Sequence, residues 1–428
     1  MQIHVVRPGQ TIYSIAQAYN TTPQEIISAN ELTKPNELVV GQALVIPIVG
    51  RFYYVQPGDS LWTIGRKFGF TPQELANVNN IPLNGSLTIG QRLYIPPQKK
   101  RKAEFMAYIE PRGTSVSPAL ERSAREAAPY LTYLAPFSFI AQRDGSLKEP
   151  PLNDFAAIAR NQNTGLTMVI SNQENGEFNS DLGRILLNDM MVQNTLLANI
   201  ESTAQKYKFD DIHFDFEFLR PEDKDAYTAF LKKAKSRFSK FGWLVSIALA
   251  PKTSANQKGK WFEAFDYKAQ GEAVDFVLIM TYEWGYSGGP AQAVSPIGPV
   301  RNVLNYAISE IPSRKVMMGQ NLYGYDWTLP FVPGSTAKAV SPKAATELAQ
   351  TFQVPIQYDQ VAQAPFFKYK DESGRDHEVW FEDARSIQAK FDLLKELNLR
   401  GMGYWKLGLS FPQNWLLLND NFIPVKKE

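Results

Sequence analysis

Residues 1–98 carry an ungapped internal repeat, which divides the chain before any other feature is considered. Val6, Pro8-Gly9, Ile15, Thr22-Pro23-Gln24-Glu25, Asn30, Gly41-Gln42 and Ile46-Pro47 recur 49 positions later as Val55, Pro57-Gly58, Ile64, Thr71-Pro72-Gln73-Glu74, Asn79, Gly90-Gln91 and Ile95-Pro96. A tandem duplication of this kind makes each copy a structural unit of its own. Each opens with a β-rich piece, His4–Val6 or Tyr53–Val55, and a Pro-Gly turn, followed by Thr11 or Ser60 as a helix N-cap. At Thr22 or Thr71 a second cap, with Pro at the first helical position and Glu at the third, fits a capping box. After Gly41 or Gly90 an alternating strand follows, Leu44–Ile46 or Leu93–Ile95, so each copy is predicted to be β-α-α-β. The expected domains are 1–49 and 50–98, with 99–428 left for a separate fold.

From Ala103 onward, strand candidates alternate with helical periods. They are Glu104–Ile109, Tyr130–Phe139, Leu166–Ser171, Phe209–Glu217, Trp243–Ala250, Val274–Tyr282, Lys315–Tyr323 and Gly401–Leu407. Helical stretches such as Met190–Tyr207, Lys224–Phe238 and Ala384–Leu397 lie between them. This pattern predicts an α/β fold, a (β/α)8 TIM barrel. The rival, a doubly wound open sheet, normally shows a glycine-rich turn after its first strand, and none is present. Pro330–Trp380 is longer than an ordinary connection and is expected to carry an extra hairpin around Tyr358–Glu378.

Within the fourth strand, Ile212, Phe214 and Phe216 alternate with His213, Asp215 and Glu217, which puts apolar residues on one face and ionisable ones on the other. The acids fall at the carboxyl end, where barrels of this type keep their chemistry. Two neighbouring carboxyl groups hinder each other's ionisation, so one can hold a proton near neutral pH and serve as a general acid.

Composition excludes several other readings. Hydrophobic content of 44% with 12% aromatics rules out a largely disordered chain. The formal charge of +2 gives no field that would attract nucleic acid, and the basic run Lys99–Lys102 beside Pro96-Pro97 reads as a solvated linker. With no cysteine and only His4, His213 and His377, no metal-ligand spacing exists, and neither a metal nor a cofactor is expected. The first residues lack the basic start and apolar stretch of an export signal, and no apolar run is long enough to span a membrane. A monomer is expected.

The repeat pattern, Val-x-Pro-Gly-[Gln/Asp]-[Thr/Ser]-[Ile/Leu]-[Tyr/Trp]-x-Ile, then Asn, then Gly-Gln-x-Leu-x-Ile-Pro, resembles the LysM carbohydrate-binding module. That resemblance implies a partner, peptidoglycan or another N-acetylglucosamine-containing glycan, held in a shallow groove. It places Gly9, Thr11, Ile12, Gly58, Ser60 and Leu61 at the sugar, together with Asn30–Leu32 and Asn79–Leu83. Residues 1–98 would then act as a localising device.

Phe209–Glu217 resembles the Asp-x-x-Asp-x-Asp-x-Glu signature of family-18 glycoside hydrolases. Met280-Thr-Tyr282-Glu-Trp284, Leu322-Tyr-Gly324 and Tyr404-Trp405 resemble that family's sixth, seventh and eighth strand ends. The resemblance implies substrate-assisted, retaining hydrolysis, in which the sugar's own 2-acetamido oxygen attacks the anomeric carbon. Glu217 would be the acid and then the base, Asp215 would hold the acetamido N–H, Tyr282 would bond its carbonyl oxygen, and Trp405 would floor the pocket. His213, where the family usually has Asp, and Glu283, also in place of Asp, are counted among the residues at the sugar.

LysM modules joined to such a barrel resemble one group in particular, the cortical fragment-lytic enzymes and related germination glycosidases of endospore-forming bacteria. The resemblance implies an N-acetylglucosaminidase of spore-cortex peptidoglycan, deposited in the spore coat or at the cortex–coat boundary. A chitinase is the alternative enzyme; a non-catalytic glycan-binding coat protein is the alternative from another class, and Glu217 counts against it.

Overall fold

The computed structural model describes residues 1–427. Each repeat folds as β-α-α-β. In the first, Gln2–Val5 pairs antiparallel with Ala43–Ile46 beside helices Ile12–Tyr19 and Pro23–Asn30. In the second, Arg51–Tyr54 pairs with Arg92–Ile95 beside helices Leu61–Phe68 and Pro72–Val78. Thr11, Thr22, Ser60 and Thr71 each close a capping box, which satisfies helix N–H groups that would otherwise lack partners. The shared asparagines tie helix to strand. Asn30 Nδ2 donates to Ile26 O and Val45 O, and Asn79 Nδ2 donates to Leu75 O and Tyr94 O.

The two copies attach differently. Ala43 and Val45 of the first belong to the main core of the large domain, and Val39 packs with Ile356, Phe367 and Val379. The Ile356 N–H donates to Val40 O at 2.9 Å, and Gln413 Nε2 donates to Asn30 Oδ1 and Ala43 O at 2.9 Å each. The second copy has its own small core, and its ties run to the first: Phe52 N–H to Gln2 Oε1 at 2.8 Å, Arg92 to Ala18 O at 3.1 Å, and a Tyr19–Phe52 stack. The first copy is therefore built into the large domain's core, whereas the second is held mainly through the first.

That domain is a closed barrel of eight parallel strands: Arg101–Ile109, Tyr133–Pro136, Gly165–Ser171, Asp211–Asp215, Leu244–Leu249, Phe276–Ile279, Val316–Asn321 and Gly401–Trp405. They pair in chain order, and the eighth pairs with the first. Alternate residues such as Met106, Tyr108, Val169, Ala248, Leu278 and Met317 fill the interior, while Phe105, Ile170, Ile212, Phe214 and Ile247 pack under the surrounding helices. The fourth strand is buried on both faces, so its acids are not a solvated edge.

Between the seventh and eighth strands the expected hairpin proves to be part of a five-stranded antiparallel sheet. Gly324–Leu329 follows the seventh strand almost at once and pairs with Lys338–Val340, the edge strand, on one side and with Asp376–Trp380 on the other. Helix Pro342–Thr351 from this insertion faces the first repeat, where Lys343 pairs with Glu31 and Thr33 bonds Glu347. Among the described residues no helix is long and apolar enough to cross a membrane.

Candidate active site

Asp211, His213 and Asp215 point into the barrel from the fourth strand, at 0%, 0% and 5% exposure, and Glu217 follows just beyond the strand's end at 9%. Asn172, next to the end of the third strand, fixes the turn that carries the acid: its Oδ1 accepts from Glu217 N–H at 2.9 Å and its Nδ2 donates to Glu217 O at 3.0 Å. Burial first, and then the Asp215 charge, hold the Glu217 carboxyl well above the usual carboxylate range. Burial also raises Asp215, whose Oδ1 is enclosed with no hydrogen-bond partner. Trp261 Nε1–H donates to Glu217 Oε2 at 2.6 Å, which favours the ionised form and opposes these effects.

Tyr282, at the end of the sixth strand, is brought to the same place. Its hydroxyl is pushed up by burial and then by the charges of Asp215, Glu217 and Glu283. Gly319 on the seventh strand leaves room for this ring, since a Cβ there would lie 2.9 Å from Tyr282 Cε1. Trp405 lies at the end of the eighth strand, edge-on to Phe137 at 4.9 Å and to Tyr108 at 5.4 Å between centroids. A hollow of about 210 Å³, lined by Glu110, Phe137, Ser138, Ile140 and Gln173 among others, opens beside it. Glu283 accepts from the hydroxyls of Tyr323 and Tyr325 at the same mouth.

His213 is a correction. It is fully enclosed, with Tyr108 Oη at 2.7 Å from Nε2 and Ser246 Oγ at 2.7 Å from Nδ1, so it lies behind the site and cannot touch a sugar. Burial lowers its pKa to about 3, which keeps the ring neutral. Ser246 Oγ in turn donates to Asp211 at 2.8 Å. With Asp211 ionised, Ser246 has no second proton to give, so His213 Nδ1–H donates to it and Nε2 accepts from Tyr108. Burial raises Asp211 to about 7, against the hydrogen bonds from Ser246 and Thr167.

In the repeats, Gly9, Thr11, Gly58 and Ser60 are exposed at their loops, whereas Ile12 and Leu61 are corrected to core residues at 2% and 5% exposure. The helical alternation that follows the cap turns both side chains inward. Among the described residues no cluster of three His, Asp or Glu is arranged to hold a metal ion.

Tyr108, Asn172, Ser246 and Trp261 were not singled out from the sequence. The first three stand on or just beyond barrel strands, a position that marks them once strand order is known; Trp261 lies in the long connection after the fifth strand and carried no such signal.

The fold and these strand ends agree with the match to known families. The glycosyl hydrolases family 18 model covers residues 104–409, and the LysM domain model covers 4–47 and 53–96. The chain belongs to glycosyl hydrolases family 18 and is a glycoside hydrolase with LysM domains ahead of its barrel. It is 64% identical to the cortical fragment-lytic enzyme of Bacillus subtilis (strain 168), over 100% of this chain and 99% of that protein. It also resembles the crystal structures of the spore cortex-lytic enzyme SleL from Bacillus megaterium QM B1551 (58% identity, TM-score 0.90, 99% of each chain) and Bacillus cereus (53%, TM-score 0.92, 100% of this chain and 99% of that one).

Proposed function

We propose that this protein is an N-acetylglucosaminidase that cleaves spore-cortex peptidoglycan fragments by a retaining, substrate-assisted mechanism. The observation that carries the reading is the pair of enclosed carboxyl groups, Asp215 and Glu217, raised together at the mouth of the barrel beside Tyr282. Glu217 protonates the leaving glycosidic oxygen and afterwards takes a proton from water. Asp215 holds the acetamido N–H as the sugar's carbonyl oxygen attacks, and Tyr282 bonds that oxygen. Trp405 and Phe137 hold the pyranose closely enough to align the acetamido group. The relatives named for cortex lysis, with two LysM domains in this chain, favour peptidoglycan over chitin as the polymer. Within the same reading the chain divides at 1–49, 50–98 and 99–428, acts as a monomer, and resides at the spore coat or cortex–coat boundary.

Substrate assistance requires a 2-acetamido group, which excludes muramic lactam but admits both N-acetylglucosamine and N-acetylmuramic acid. The latter carries a bulky 3-O-lactyl group, so N-acetylglucosamine is the better occupant of a pocket walled by Trp405 and Tyr282. Reducing the digestion products with borohydride and hydrolysing them tests the bond cut. New glucosaminitol is expected; new muramitol would show that the pocket accepts the lactyl sugar.

A further inference from the structure

The connection after the fifth barrel strand sends one side chain to the carboxyl group of Glu217, and the surroundings of that side chain are built to hold it. The Trp261 indole donates to Oε2 at 2.6 Å. Its ring stacks on Phe218 with centroids 6.1 Å apart and planes 15° apart, and Phe262 packs beside it at 5.6 Å. Phe178, from a hairpin after the third strand, leans on Phe218 in turn at 6.5 Å. Phe218 directly follows the acid and has φ of +52°, a left-handed conformation that a bulky residue rarely adopts. Strain of this kind persists only where the surroundings enforce it. Here it leaves a phenyl ring 43% exposed at the cleft, with the indole stacked on it.

An indole nitrogen can only donate. The oxygen it meets must therefore accept, and because a carbonyl oxygen accepts better than a hydroxyl one, the acid's proton is favoured on Oε1. Without such a donor the carboxyl group could carry its proton on either oxygen and turn about its last bond. We propose that Trp261 is a positioning residue for glycosidic cleavage, fixing the Glu217 carboxyl plane so that Oε1–H alone faces the leaving oxygen. The inference rests on Glu217 being the general acid. As the bond from the anomeric carbon to the glycosidic oxygen breaks, its electron pair stays with that oxygen, which takes the Oε1 proton. The carboxylate left behind keeps the indole hydrogen bond until water returns a proton to it.

The ionisable groups around Glu217 are Asp215 on the same strand, Tyr108 on the first and Tyr282 after the sixth. Asp215 opposes ionisation of Glu217, and the Trp261 hydrogen bond favours it. Trp261→Phe keeps the stacked ring and deletes the N–H. A hydrogen bond to a charged group of ordinary strength predicts a fall in kcat of about tenfold or more on soluble cortex fragments. The alkaline limb of the kcat profile should also move up by about one pH unit, because the carboxylate has lost its donor. Phe218→Ala, which leaves the indole N–H in place but removes its stacking partner, should move rate and limb in the same directions and tests the same claim if Trp261→Phe does not fold. Unchanged rate and limb, or a lower rate with an unmoved limb, would overturn the proposal, the second outcome being what a merely structural role produces. Glu217→Gln run beside these variants separates the two readings. If Glu217→Gln stays active, the acid itself is wrongly assigned; if it is inactive while Trp261→Phe behaves as the parent, only the positioning role fails.

Discussion

The two LysM copies share a sequence pattern and a fold but not a place in the molecule. Gly41 and Gly90 are equivalent, both left-handed at φ +83° and +82°, yet a Cβ on Gly41 would lie 1.8 Å from Ile356 O whereas one on Gly90 would meet nothing within 4 Å. The loop after the second helix shows the same contrast. In the first copy Thr33 and Lys34 bond Glu347 and Thr351 of the barrel insertion, while their counterparts Pro82 and Leu83 are exposed. Residues common to both copies, such as the helix caps and the paired asparagines, specify the module. Residues that differ at matching positions decide whether the module becomes a wall of the barrel domain or stays open to solvent.

The largest expected effect lies outside both copies, and it sets the limit of the comparison. Glu217→Gln keeps shape and hydrogen bonding but cannot donate a proton, so kcat should fall by about 10²–10⁴-fold while retention on insoluble peptidoglycan is unchanged. Residual activity within about tenfold of the parent would place the acid elsewhere. Next come the equivalent glycines. Gly90→Ala should cost about 1 kcal/mol, from its left-handed backbone alone. Gly41→Ala adds an overpacking clash with barrel backbone and should cost about 2–4 kcal/mol in denaturant unfolding; equal losses would mean that the first copy is not rigidly seated.

Smaller effects separate binding from docking. Leu83→Ala should weaken retention on insoluble peptidoglycan by about fivefold, the scale of an exposed apolar side chain partly covered on binding, whereas Lys34→Ala should leave it alone. If Lys34→Ala weakened retention as much, Lys34 would meet the glycan rather than only the barrel insertion. Smallest of all, Lys343→Ala removes a partly exposed ion pair with Glu31 and should change stability by less than about 1 kcal/mol, measured by the same unfolding.

The barrel was legible in the sequence because each strand is short, apolar and bounded, and because a residue's parity decides whether it faces the barrel interior or the helices. The same parity put His213, Asp215 and Glu217 on one face. It could not say what His213 meets there, since Ser246 is its neighbour only through strand pairing, where the two are in register, and Tyr108 reaches it from across the barrel. The insertion was under-read because Gly324–Leu329 follows the seventh strand with no turn signal between them, and Lys338–Val340 is too short to show a period. Trp261 was invisible for a different reason. A tryptophan in an irregular connection has no periodicity to betray its partner, and only the folded path brings it to Glu217.

Seating the first copy in the barrel also shortens the leash on the second. The last strand of that module ends at Ile95 and the first barrel strand begins at Arg101, so the connection can extend to only about 20 Å even when pulled straight. At its other end the module starts at Arg51, directly after the seated copy. With both ends held, it does not sweep a wide volume as a module on a long flexible tail would. The distance between the second module and the barrel is therefore limited by two short connections rather than by a flexible tail.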